Sequence, residues 1–112
     1  MRDDRERLTD VLHAVNRILE KTSAGRSAFD KDEMTQVWVL HHLQIIGEAA
    51  RTLSENFRGR YPDKVWSMAA GMRHILVHQY FEIDADEVWK VVENDLPALQ
   101  DKVIAILKTE TS

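Results

Sequence analysis

Three observations predict an all-α protein, an up-and-down four-helix bundle. Apolar residues recur at three- and four-residue steps in successive stretches of the chain. Two of those stretches open on an aspartate answered by a glutamate three residues later. No stretch alternates polar and apolar residues as a half-buried strand would.

The first helix is expected over Asp3 to Thr22, where Leu8, Val11, Leu12, Val15, Ile18 and Leu19 mark one buried face. Ser23-Ala24-Gly25 ends it, with Gly25 suited to a left-handed terminating conformation. The second helix is expected to start at an Asp30 cap answered by Glu33, with Phe29 stapled to Met34, and to run to about Asn56. Leu43, Ile46, Ala50, Leu53 and Phe57 form one stripe on it, and Trp38, Ile45 and Ala49 a second. A helix apolar over so wide an arc asks for burial on two sides, which predicts a partner subunit.

Gly59 and Pro62 bracket a turn, and Pro62 suits the first turn of a third helix buried through Val65, Met68, Ala69, Met72, Ile75 and Leu76. Gly71 costs that helix roughly 1 kcal/mol relative to alanine, which predicts close approach of a neighbour there. After a short loop, Asp84 caps a fourth helix, Glu87 answers it and Ile83 staples to Val88. Val88, Val92, Leu96, Leu99, Val103 and Ile106 give its buried face. Pro97 would clash with the carbonyl of Glu93, so this last helix is expected to kink or split near Asn94-Asp95.

Composition narrows the class. The 112 residues make one domain, 1–112, with 44% hydrophobic and 30% charged residues. There is no cysteine, which removes disulfides and thiolate zinc sites. The charged start, Met1 to Arg7, leads into no apolar signal region, and a cytoplasmic location is expected. The net charge of −4 argues against a broad nucleic-acid footprint. Between Arg51 and Arg73, however, five basic residues (Arg51, Arg58, Arg60, Lys64, Arg73) face two acidic ones (Glu55, Asp63). That local rim suits a confined phosphate site.

The rim leads into Arg73-His74-Ile75-Leu76-Val77-His78-Gln79-Tyr80, which gathers a guanidinium, two imidazoles and a phenol. On a continuous helix Arg73 and Tyr80 would lie roughly 20° from alignment. His78 would sit about 140° from Arg73. Either the helix ends near Val77-His78 and turns the imidazole round, or the site draws residues from two chains.

The spacing Arg-x4-His-x-Tyr, as Arg73, His78 and Tyr80, resembles the signature of HEPN-domain ribonuclease toxins of the HepT type. Ile46-Gly47-Glu48-Ala49-Ala50, Tyr61-Pro62 before Trp66, Val88-Trp89 and Leu96-Pro97 extend the resemblance over nearly the whole chain. His74 fills the polar slot after the arginine, where asparagine is commoner. The resemblance implies a homodimeric endoribonuclease that needs no metal or other cofactor, with motifs from both subunits meeting in a cleft. It also implies a MNT-type nucleotidyltransferase antitoxin that transfers AMP to Tyr80 and silences the toxin.

The chemistry agrees. Metal-free RNA cleavage needs a base for the 2′-OH proton and an acid for the leaving 5′-oxygen, and histidine titrates near working pH. His78 is the acid/base candidate, and Arg73 the bidentate stabiliser of the phosphorane charge. Tyr80 can hydrogen-bond the phosphate or stack on a base. Glu48, on an apolar stretch, is expected to be buried and to orient Arg73 or His74 through a salt bridge.

Other readings stand beside this one. The chain could be a non-catalytic helical partner that docks a nucleotidyltransferase. Alternatively, His74 and His78, one helical turn apart, could bind metal with Glu48 or His42. His41 and His42 read as flanking the core, and Trp38, Trp66 and Trp89 as core or dimer contacts.

Overall fold

A computed structural model describes residues 3–75, 77–78 and 82–111, excepting the side chains of 77, 78, 82 and 111. The architecture is all-α. Helix α1 (Asp4–Lys21) is followed by α2 (Arg26–Lys31), α3 (Glu33–Arg51), α4 (Glu55–Arg60) and α5 (Val65–Gly71). A 3₁₀ turn (Met72–His74), the two-residue strands β1 (Val77–His78) and β2 (Glu82–Ile83), α6 (Ala85–Lys90), a π-helical segment (Val91–Asp95) and α7 (Leu96–Thr111) complete the chain. Helix α3 packs against α1, α5 and the 3₁₀ turn, while α7 closes on α1. The core lies between them, with Val11, Val15, Val39, Leu43, Ile46, Leu99 and Val103 fully buried. No helix among the described residues is long and apolar enough to cross a membrane.

Local chemistry explains the element ends. Asp3 accepts from the amide of Glu6 and caps α1. Gly25 takes a φ of 95°, yet its ψ of 176° is not left-handed helical, and it opens α2 rather than ending α1. Asp30 does not cap the long helix. It sits inside α2 and pairs with Arg26, while Asp32 accepts from Met34 and Thr35 and serves as the cap. Thr35 explains the choice, because its hydroxyl also donates to Asp32 at 2.8 Å. Phe29 does not staple to Met34, which is 83% exposed; its ring packs on Trp89 instead.

The long helix stops at Arg51 rather than near Asn56. Ser54 caps α4, and Asp4 of α1 accepts from the Ser54 amide at 2.8 Å and its hydroxyl at 2.6 Å. Arg58 donates to the carbonyls of Ala50 and Arg51, closing the C-terminus of α3. Gly59 lies inside α4, and Pro62 precedes α5 instead of opening it.

Toward the C-terminus, Asp84 accepts from the Glu87 amide and caps α6. The break expected near Pro97 takes the form of the π-helical segment, where the Leu96 amide reaches back to Val91. The wider turn accommodates a ring that an α-helical ladder excludes. Where the sequence shows no strand pattern, β1 and β2 pair antiparallel, with Val77 opposite Ile83 and His78 opposite Glu82.

Candidate active site

The motif does not lie on a continuous helix. Helix α5 ends at Gly71, tightens into the 3₁₀ turn carrying Arg73 and His74, and becomes extended at Ile75, where ψ is 113°. Ile75 is buried and fixes this change of direction in the core. His78 belongs to β1, so His74 and His78 do not share a helical face, and the spacing argument for a metal pair fails. The His78 side chain and all of Tyr80 lie outside the described residues.

Gly47 determines where the turn can sit. A Cβ on Gly47 would meet the Arg73 nitrogen at 2.6 Å and the Arg73 Cβ at 2.7 Å. Only a glycine lets the turn approach α3 this closely. Gly71, where close approach was expected, is exposed and has nothing within 4 Å of such a Cβ.

One residue beyond Gly47, Glu48 is exposed rather than buried. Its Oε2 lies 3.5 Å from an Arg73 guanidinium nitrogen, and its Oε1 accepts from Arg51 at 2.5 Å. Arg51 is one turn on, so the three-residue spacing in α3 sets one carboxylate between two guanidiniums. The hydrogen bond from Arg51 holds the Glu48 carboxyl below its ordinary range, against partial desolvation and with help from the Arg51 and Arg73 charges. Arg73 is left about one-third exposed, with donors available to an anion.

The remaining candidates separate. His42 is buried, its Nδ1 is 2.8 Å from the Trp38 carbonyl and its ring lies against Trp38. Both interactions occupy it within α3, away from Glu48. Trp66 is a core residue that donates to the Tyr61 carbonyl, whereas Trp38 is 41% exposed. Arg60 and the Tyr61 hydroxyl both bind Glu110, and Arg58 closes α3, so part of the basic rim serves the fold. Arg51 was expected only as part of the basic rim and Gly47 only within the Ile46–Ala50 segment; their contacts with Glu48 and Arg73 were not expected. A glycine amid the buried residues of a long helix was the available signal.

A family model described as Ribonuclease HepT-like matches residues 11–106. The chain is 36% identical to "Putative RNase MJ1380" of Methanocaldococcus jannaschii, over 91% of this chain and 94% of that protein. It is 35% identical to "Probable ribonuclease HepT" of Thermococcus cleftensis, over 90% and 93% respectively. With "Putative RNase TTE0752" of Caldanaerobacter subterraneus subsp. tengcongensis it shares 30% identity over 98% and 99%. No solved structure matches the chain.

Proposed function

This chain belongs to the HepT-like ribonuclease family, and from that premise we propose that it is a metal-independent endoribonuclease, the toxin of a toxin–antitoxin pair acting in the cytoplasm. The observation that carries the reading is Arg73, seated at backbone contact on Gly47 and held by Glu48 with its guanidinium open to solvent, five residues before His78.

In this reading the 2′-oxygen of RNA attacks phosphorus while an imidazole, His78, takes its proton. Arg73 donates two N–H groups to the charge that grows on the phosphoryl oxygens. The bond to the 5′-oxygen breaks, and that oxygen leaves with a proton from a second acid, the partner subunit's His78. The products are a 2′,3′-cyclic phosphate and a 5′-hydroxyl. His74, exposed in the 3₁₀ turn beside Arg73, is available to bind the strand. The homodimer this requires is supported by Met34, Val37, Trp38 and Ile45, large apolar residues exposed along α3.

The reading extends to regulation. A nucleotidyltransferase antitoxin would join the Tyr80 phenol oxygen to the α-phosphorus of ATP and release pyrophosphate. The added AMP would oppose RNA by bulk and negative charge.

The deciding assay is cleavage of RNA by purified protein in excess EDTA, beside Arg73→Ala and His78→Ala, with intact mass recorded for each sample. Cleavage that survives EDTA, leaves cyclic ends and disappears in both variants is the expected result. Inactivity of protein whose mass shows Tyr80 unmodified would overturn the reading.

A further inference from the structure

An open groove of about 300 Å³ lies between the α3–α4 junction and α5, lined by Arg51, Arg58, Asp63, Trp66, Ser67 and Ala70. One wall carries Arg51, half exposed and held on Glu48, the same carboxylate that holds Arg73. The other wall is the face of α5 bearing exposed Ser67 and, one turn on, Ala70. The chain leaves that face directly into the 3₁₀ turn with Arg73 and His74. The groove and the proposed reacting centre are therefore joined along both walls.

The charges in the groove do not cancel. The Asp63 carboxylate is bound by Lys102 at 2.9 Å and accepts from the Val65 amide at 2.9 Å. Arg58 uses one guanidinium nitrogen on the end of α3, and a guanidinium has five N–H donors, so others can point elsewhere. Two arginines thus face a groove whose acid is already neutralised, an arrangement that attracts a polyanion.

We propose that this groove is a phosphodiester subsite, binding the RNA strand beside the bond that is cut. The inference rests on the ribonuclease reading and adds the path of the strand. Arg51 then has two tasks: its carboxylate contact steadies Arg73, and its remaining donors hold the neighbouring phosphate.

Replacing the arginines would disturb Glu48 and the end of α3, so the test alters the charge of the groove at Ser67 instead. The probe is a fluorescein-labelled 2′-O-methyl oligonucleotide, which lacks the attacking hydroxyl and reports binding whether or not the protein cuts RNA. Ser67→Glu should weaken its binding about threefold, and Ser67→Lys should tighten it by a similar factor. If the added lysine takes up a further phosphate contact, the salt dependence should steepen by about 0.7 in the log–log slope. Circular dichroism of both variants checks the fold. Unchanged affinity and slope in both folded variants, or no probe binding by the wild type, would overturn the subsite. A groove shaped for an acidic protein surface would give that unchanged result. Shifts in binding from a wild type that cuts no RNA, and whose mass shows Tyr80 unmodified, would retain the subsite and reject the nuclease.

Discussion

Gly47 and Arg73 meet at backbone distance, with 2.6 Å separating the Arg73 nitrogen from the place a Gly47 Cβ would occupy. The atoms in the way are the Arg73 main chain and Cβ, so no rotamer change relieves the overlap. Gly47→Ala gains helix propensity of about 1 kcal/mol, but must push the turn off α3. A net destabilisation of about 1–3 kcal/mol is expected. Displacing Arg73 by roughly 1 Å should lower cleavage on the order of a hundredfold. A double-mutant cycle separates positioning from general damage: in an Arg73→Ala background, Gly47→Ala should cost little further activity. Additive losses would show that Gly47 acts elsewhere.

Glu48 is expected to matter for activity more than for stability, because both of its salt bridges are exposed. Glu48→Gln should reduce cleavage about tenfold or more while leaving the melting temperature close to wild type. Its carboxyl titrates below the ordinary range in the fold, chiefly through the Arg51 hydrogen bond. The bridge is therefore fully present above an unfolded pKa of about 4.3 and fades as pH falls through the lower folded value. Arginine Nε–H signals of Arg51 and Arg73 in an NMR titration should move together in that window. Independent movement would break the link.

Asp4 ties the start of α1 to the α3–α4 junction, accepting from both the amide and hydroxyl of Ser54. These are charge-assisted bonds in a partly buried site, and Ser54 in turn caps α4. Asp4→Ala should cost about 1–3 kcal/mol in urea unfolding. Ser54→Ala should cost a similar amount, and the double variant less than the two singles added. Full additivity would show that the two residues do not act together.

The apolar steps of the sequence anticipated the core well, since Leu8, Val15, Leu43, Ile46, Phe57, Val92 and Leu99 are all buried. The Asp84 cap and the break before Pro97 were equally legible, because each follows from chemistry within one helical turn. What stayed hidden depended on choices between near equals or on distant contacts. Asp30 and Asp32 both look like caps, and only the Thr35 hydroxyl bond distinguishes them. Leu53 and Phe57 keep the helical step across a real break, which Asp4 stabilises from another helix. The same limit applies to the site. Gly47 and Gly71 look alike in sequence, yet only Gly47 faces the turn that carries Arg73.

The exposed apolar stripe on α3 gives the proposed dimer a surface to test. Met34 is 83% exposed, Val37 53%, Trp38 41% and Ile45 36%, on the helix that also carries Gly47 and Glu48. The proposed mechanism takes its second imidazole from a second copy, and this stripe is the apolar surface such a copy would cover. Ile45→Glu places a charge at the C-terminal end of the stripe, and burying it unpaired costs several kcal/mol, enough to dissociate a moderate dimer. Because Ile45 is already exposed in the single chain, the variant monomer should fold with a near-normal melting temperature. Sedimentation equilibrium should show a monomer, and cleavage should fall to the level of His78→Ala. A monomer that still cuts RNA at the wild-type rate would mean that one chain supplies both base and acid. A dimer that persists would place the interface on another face.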